Sequence, residues 1–511
     1  MQNQFIISIR TTIAATIGRH GVSAAVTALA CLGLGLVNCG EGDPPLGSTP
    51  PPAPLEASRA RPLARVELAS TPSILLISVD TLRSDHLSLF GYPRNTTPSI
   101  DRYFADATVY RAAYSAEANT SPSVISMLSG LLPARHRVRM FYQRIPAKIH
   151  LLSDYLSAAG YQTAAVVSNV VLTREAIGLS TRFGHYDDFV DEREQSLDVY
   201  ERRASRTSDA AIKWLRELRD PERPHLLWVH YIDPHGPYRP PVDSPIKDFQ
   251  HLVPQPIDSE RIISYQRLAG VDDGAEYIDR YDEEIAYADA EIGRLLSTYD
   301  ELGLSDSSIV VFTADHGENL IEHDVYFNHG HQVWNSIMRV PLMIRTPGGK
   351  ADQIDVPVSL VDLTPTLLAL VGYPSPEDDK TFDGIQLSKR RPEDSISLEA
   401  SGYAAKGDQW VYWHHRALVS GSDKWFASVD REGKVVARGY FDLARDPGEQ
   451  RPEAWRFGAK ANRLLDWFET DPDPAGVPES VLNGQRLLAP KVAPGRTSDE
   501  LRALRALGYV E

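Results

Sequence analysis

The chain has 511 residues, with 53 Lys+Arg against 69 Asp+Glu, a formal net charge of −16, 42% hydrophobic residues and 24% charged ones. That balance suits a folded chain. It excludes a disordered protein, a polytopic membrane protein and, for want of basic groups to neutralise phosphates, a general nucleic-acid binder. The two cysteines, Cys31 and Cys39, lie near the N-terminus, so the body carries neither a disulfide framework nor a Cys-based zinc site.

Residues 1–38 contain Arg10, Arg19 and no acid, and an apolar run spans Val22–Val37. The run is short for a membrane span, which needs about 20 residues, and its order is that of a secretory signal. Cys39 follows in Leu36-Val37-Asn38-Cys39-Gly40, which resembles a bacterial lipobox in which the Cys is lipidated. Asn38 departs from the small residue expected there, and Ala28-Leu29-Ala30-Cys31 is the competing site. A plain signal peptide or an uncleaved anchor is the alternative. Every version exports the body, and lipidation would tether it to the membrane of a bacterial cell envelope, facing the periplasm or the surface. Residues 39–72 hold eight prolines and read as an extended tether.

Short apolar runs then alternate with helical patterns. Ile74–Val79 stops at Asp80, Thr163–Val167 follows a Gly turn, and Leu226–His230 ends near Asp233 and His235. Ile309–Phe312 leads into Asp315 and His316, and Val340–Ile344 is a fifth run. Runs apolar on both faces predict central strands of a parallel sheet. Between them Ile278, Tyr281, Ile285, Ala288, Ile292, Leu295 and Tyr299 form one helical stripe. Asp279, Asp282, Glu283, Glu284 and Glu291 lie mostly off it and read as a solvated face. The alternation predicts a doubly wound, mainly parallel α/β sheet flanked by helices, with ligands beyond the strands' C-terminal ends. Asp80, Asp233, His235, Asp315 and His316 occupy such ends. Leu418–Val419, Trp425–Val429 and Val435–Tyr440 predict a small antiparallel sheet, followed by a helix over Ala459–Phe468 and a terminal helix over Ser498–Leu507. The expected division is a catalytic domain over 73–395, a C-terminal subdomain over 396–470 and an extension over 471–511.

Thr120-Ser121-Pro122-Ser123 begins a helix that Gly130 ends. A hydroxyl there faces free backbone N–H groups, which suit an anionic ester. Asp80, Asp315 and His316, with Thr120 Oγ1, would bind a divalent metal, and a metal lowers a hydroxyl pKa.

Several segments in order resemble the sulfatase family of the alkaline phosphatase superfamily over about residues 73–450. They are Ile77–His86, Thr97-Pro98-Ser99-Ile100-Asp101, Thr120–Ser123 with Leu128-Ser129-Gly130, and His230-Tyr231-Ile232-Asp233-Pro234-His235-Gly236-Pro237-Tyr238. Thr313–Glu318, Val340–Ile344, Asp362–Thr366 and Phe441–Pro447 continue the match. The resemblance implies an ester hydrolase with a covalent intermediate. His235 would hold a substrate oxygen or protonate the leaving group, and His329 or His331 would bind the transferring group. Arg83 would contact substrate or lie on the surface, and His230 is expected to be merely buried in its strand. A second ion at Asp233, His235 and His329 or His331 is a lesser alternative.

The departures are chemical. Sulfatases carry Cys or Ser in C/S-x-P-x-R and oxidise it to formylglycine. Here Thr120 and Val124 stand at those positions and no Cys follows residue 39, so no formylglycine is expected. Thr81 replaces the usual second Asp. The remaining set is similar to that of phosphoethanolamine and phosphoglycerol transferases and nucleotide pyrophosphatases, which use an unmodified Thr. One Zn²⁺ or Mn²⁺ is expected before Ca²⁺, which takes about 6–8 oxygens. The expected substrate is an anionic ester of a small molecule, glycan or lipid, with phosphoryl chemistry favoured over sulfate. An envelope transferase and a non-catalytic binding protein are the rival readings.

Overall fold

The computed structural model describes residues 71–471, apart from 142, 191, 195–198, 243, 245–252, 375–380, 407–408 and 431–432. The segments expected to be a signal sequence, most of a tether and a terminal helix, and both cysteines, lie outside the described residues. Among the described residues no helix is long and apolar enough to cross a membrane.

Eight strands build the central sheet: β1 (Ser73–Val79), β2 (Thr108–Tyr110), β3 (Gln162–Val167), β4 (His185–Asp187), β5 (His225–Tyr231), β6 (Ser308–Ala314), β7 (Leu342–Arg345) and β8 (Asp352–Ile354). Their spatial order is β8-β2-β7-β6-β1-β5-β3-β4. β1 pairs in parallel with β5 and β6, and β3 in parallel with β5 and β4. Ile74–Ile77, Leu226–Val229 and Ile309–Phe312 are almost wholly buried, as strands covered on both faces require.

The run Val340–Ile344 is not a parallel strand. Pro341, which has no N–H to give a ladder, divides it. Arg339–Val340 pairs with Ala113–Tyr114 in a separate sheet, whereas β7 runs antiparallel to β6. Between β6 and β7 lie only the short helical turns Glu322–Asp324 and Asn335–Met338, not the crossover helix of a parallel return.

Helix α1 (Thr120–Ser129) is buried along its length and packs on helices Leu152–Ala158 and Leu363–Leu370. Helix α2 (Gly274–Glu301) buries the whole predicted stripe from Ile278 to Tyr299. Its acids are not a solvated face. Asp282 is fully buried and accepts from His86 Nδ1 at 2.7 Å, Tyr92 Oη at 2.6 Å and Arg94 Nη1 at 2.8 Å. Asp279 takes Arg94 Nη2 at 2.6 Å, and Asp289 caps helix Pro98–Tyr103 by accepting from Ser99 N and Ile100 N. The helix is covered on a second side by residues 83–103, and sequence periodicity shows only its first buried side.

The C-terminal sheet is antiparallel in the order β9 (Ile396–Lys406), β10 (Gln409–Ser420), β11 (Asp423–Val429), β12 (Val435–Asp442), and helix α3 (Ala459–Thr470) packs on β10 and β11. Glu399 of β9 accepts from Arg139 and from Arg416 Nε at 3.1 Å, and Asp471 accepts from Arg416 Nη2 at 2.7 Å. This buried network ties the chain just past α1 to the small sheet.

His136 pins the exit of α1. Val138 N–H donates to its Nδ1 at 3.1 Å, so Nε2 carries the proton and donates to Ser126 Oγ at 2.9 Å. Burial, aided by Arg139, pushes its pKa from 6.5 down to about 3. The folded state therefore resists a proton that the unfolded chain accepts. The contribution is complete above pH 6.5 and is lost as pH falls toward 3, at about 1.4 kcal/mol per unit, or roughly 2 kcal/mol by pH 5. Urea unfolding at pH 7 and pH 5 checks this: His136→Gln loses less stability over that interval than the wild type, and equal losses contradict it.

Candidate active site

Three parallel strands and one helix end at a single point. Asp80 follows β1, Asp315 follows β6, and His230 is the penultimate residue of β5, all fully buried. One ligand atom from each lies within 4.8 Å of the others, the one such group among the described residues. Asp80 Oδ1, Asp315 Oδ2 and His230 Nε2 have no hydrogen-bond partner. Buried polar atoms left without partners are costly, and three at one point fit a divalent cation.

Thr120 opens α1 over this cluster. Its Oγ1 lies 3.4 Å from Asp80 Oδ2 and 3.3 Å from His316 Nε2. His316 Nδ1 donates to Gly317 O at 2.9 Å, which leaves the Nε2 lone pair facing Thr120, 3.6 Å from Asp315 Oδ2 and 3.8 Å from Asp80 Oδ1. The first turn of α1 is stapled by Ser121 Oγ on Val171 O at 3.1 Å and Ser123 Oγ on Asp315 O at 2.6 Å. These two serines are structural supports of the helix.

The electrostatics of the two carboxylates differ. Burial pushes the Asp315 carboxyl well above the usual carboxylate range, and the neighbouring Asp80 adds to the shift. For Asp80 burial acts in the same sense, but His230, His235 and His316 outweigh it and hold the group below that range. Two adjacent buried carboxylates do not both ionise without a cation.

The expected substrate residues sit beside this cluster. His316, His329 and His235 form a file, with ring centroids 4.6 and 5.2 Å apart. His235 donates from Nδ1 to Gly236 O at 2.8 Å and lies parallel to Tyr265. Burial lowers its pKa, and lowers that of His329 to about 3 and of His331 to about 4. His331 is only half-buried and turns its Nδ1 to His329 O at 2.6 Å. Of the two histidines, His329 is the one in the file.

Other expectations change. Arg83 is neither on the surface nor open to a ligand. Its guanidinium donates to Asp85 Oδ2 at 2.8 Å, Glu322 Oε1 at 2.7 Å and Glu318 O at 3.2 Å. Asp233 does not join His235 and His329 in a second cluster; its electrostatic neighbours are Glu284 and Tyr287 of α2. His230 is more than a buried strand residue. Ser78 Oγ, which accepts from Trp228 Nε1 at 2.9 Å, lies 2.9 Å from His230 Nδ1 and so directs Nε2 toward Asp80, 3.6 Å away.

Two further residues had no separate sequence signal. Asn169 donates from Nδ2 to Asp80 Oδ2 at 2.5 Å, while its Oδ1 accepts from Val171 N at 3.0 Å. Fully buried Glu318 accepts from His329 Nδ1 at 3.0 Å and from Tyr238 Oη at 3.1 Å. Burial pushes its pKa up to about 7, with His235 and His316 opposing the rise. Asn169 lies two residues past β3, and Glu318 three past Asp315. Only the strand-end rule pointed toward them.

The family model named Sulfatase matches residues 72–373. An uncharacterized sulfatase, YidJ, of Escherichia coli is 25% identical over 346 residues, 60% of this chain and 69% of that protein. The choline-sulfatase of Rhizobium meliloti is 26% identical over 363 residues, 62% of this chain and 70% of that one. A structure in complex with its substrate D-glucosamine-2-N,6-O-disulfate superposes with TM-score 0.60 at 18% identity, covering 80% of this chain and 100% of that one. The phosphonate monoester hydrolase of Agrobacterium radiobacter superposes with TM-score 0.58 at 19% identity, covering 78% and 94%. These structures share the mixed, mostly parallel sheet flanked by helices. With the family match spanning more than half of its residues, the chain belongs to the sulfatase family, the ester hydrolases of the alkaline phosphatase superfamily.

Proposed function

We propose that this enzyme of the sulfatase family hydrolyses anionic esters through a covalent ester on an unmodified Thr120, with phosphate and phosphonate esters preferred to sulfates. The observation that carries the reading is the position of Thr120 Oγ1, at the start of α1 and 3.3 and 3.4 Å from His316 Nε2 and Asp80 Oδ2.

Asp80, His230, Asp315 and His316 are the residues that would hold a divalent ion, with Zn²⁺ or Mn²⁺ suited to a donor set of two carboxylates and two imidazoles. Such an ion supplies positive charge beside the ester and lowers the pKa of a nearby hydroxyl. Thr120 Oγ1 attacks in line, and its proton leaves toward Asp80. The first-turn amides of α1 face the equatorial oxygens of the transferring group. His235, neutral in the resting site with its Nδ1 proton held by Gly236 O, takes up a solvent proton at Nε2 as the anion enters and gives it to the departing oxygen. Its Nε2 then takes a proton from the water that opens the Thr120 ester, and the proton held at Asp80 returns to Thr120 Oγ1.

The preference for phosphorus follows from that last step. A formylglycine hydrate expels sulfate by collapsing to an aldehyde, whereas a Thr ester offers no such collapse and must be attacked directly. Phosphoryl-Thr esters are resolved that way more readily than sulfuryl ones. Sulfate hydrolysis is the second reading, favoured by the names of the relatives. A glycan carrying the ester is the fitting substrate type, since the structural neighbour described above holds a sulfated sugar. We place the enzyme in the cell envelope on the strength of Cys39 and the apolar run before it.

Two experiments test this. Turnover of aryl phosphate, phosphodiester, phosphonate and sulfate esters by metal-loaded protein should be fastest for a phosphorus ester and fall about 10³-fold or more in Thr120→Ala. Wild-type rates in that variant contradict the nucleophile. Metal analysis after dialysis should find about one equivalent of Zn or Mn in the wild type, and affinity lowered at least 10-fold in His230→Ala. Unchanged affinity removes His230 from the set.

A further inference from the structure

Thr120 enters α1 without the cap that its neighbour is built to give. Asn119 has the extended backbone of an N-cap, φ −123° and ψ 150°, yet its side chain accepts nothing from the first turn. The side chain is turned away. Its Nδ2 donates to Glu117 Oε2 at 3.3 Å and to Gly330 O at 3.4 Å, and its backbone N–H donates to the same Glu117 oxygen at 2.7 Å. Gly330, at φ +83°, makes this position tight: a Cβ there would come within 2.4 Å of Asn119 Oδ1.

Glu117 is fully buried, and the charged side chain that acts on it is another acid, Glu399. Its second oxygen accepts Ser401 N–H, from β9, at 3.2 Å. A buried carboxyl group held only by neutral N–H donors is costly to keep. Here it holds the residue that would otherwise close the helix end.

The first turn has few amide donors to spare. Pro122 has none, and Ser123 N is taken by Asn119 O at 3.0 Å. With Asn119 diverted, no side chain caps the amides of Thr120 and Ser121. They belong to the end of α1 whose Thr120 Oγ1 lies 3.4 Å from Asp80 Oδ2, in the cluster where Asp80 Oδ1, Asp315 Oδ2 and His230 Nε2 have no partner.

We propose that Glu117 is a positioning residue. By holding Asn119 off the helix, it keeps the Thr120 and Ser121 amides open for an equatorial oxygen of the transferring group. Through Ser401 it also makes the C-terminal sheet part of the anion site. The ligand class rests on the ester-transfer reading above; the device itself needs no turnover to be observed.

The test is calorimetric titration of the metal-loaded full chain with inorganic phosphate. In Glu117→Leu no side-chain acceptor remains for Asn119, so Asn119 is released to cap Ser121. Phosphate should bind about 5- to 10-fold more weakly, the size of one cap. Asn119→Ser, a short and efficient cap, should weaken binding by a similar factor. Asn119→Ala has no group with which to cap and should stay within about 3-fold of the wild type. This contrast at one position remains decisive if Glu117→Leu fails to fold. Equal affinity in all four proteins, equal losses in Asn119→Ser and Asn119→Ala, or a wild type that does not bind phosphate overturns the proposal. Failure of the nucleophile assignment shows elsewhere, in undiminished turnover by Thr120→Ala, and leaves the phosphate series standing.

Discussion

Asp80 and Asp315 leave adjacent parallel strands side by side, both fully buried, and among the described residues their ion-pair partners are histidines, not lysine or arginine. Two carboxylates so placed are stable only with a positive charge between them or a proton on one. The surrounding groups answer that constraint. Asn169 donates to Asp80, His230 and His316 bring imidazoles from two further directions, and the positive end of α1 points in. The place where Thr120 stands is the place where negative charge is most in need of a partner.

Aiming those groups takes backbone strain and a buttress. Thr81, next to Asp80, has φ 53°, an uncommon conformation for a β-branched residue. Tyr281 of α2 holds the turn by donating to Thr81 O at 2.7 Å and accepting Arg83 N–H at 3.0 Å. Arg83, locked to Asp85 and Glu322, closes the same corner. The buried acids of α2 serve a related end, since Asp282 and Asp279 fix the segment from His86 to Arg94. Polar residues that look solvated or substrate-binding in one dimension are here the frame around Asp80, His230 and Asp315.

This explains what was legible in the sequence. Strand cores such as Ile74–Val79 and Ile309–Phe312 declare themselves because both faces are apolar, and the residues at their C-terminal ends mark the site. Thr120 is legible from Pro122 and Gly130, which punctuate its helix. His230 is easily underrated because a histidine inside an apolar strand looks like core, and only Ser78 on the neighbouring strand β1, itself fixed by Trp228, shows how its ring is turned. The strand Ile396–Lys406 escaped because Glu399 and Ser401 interrupt its apolar run, and their partners Arg139, Arg416 and Glu117 come from elsewhere in the fold. Asn169, Glu318 and Glu117 have meaning only through contacts across the sheet, which no local pattern records.

The proposed chemistry requires residue 120 to be an unmodified threonine that carries the transferred group. Acid quenching of the metal-loaded enzyme during turnover of its best phosphorus ester, followed by mass spectrometry of the peptide over residues 118–130, addresses both halves at once. Resting protein should hold an unmodified threonine and quenched protein a phosphoryl adduct on Thr120, absent from the Thr120→Ala control. An oxidised residue 120, or an adduct on another side chain of the site, would contradict that chemistry.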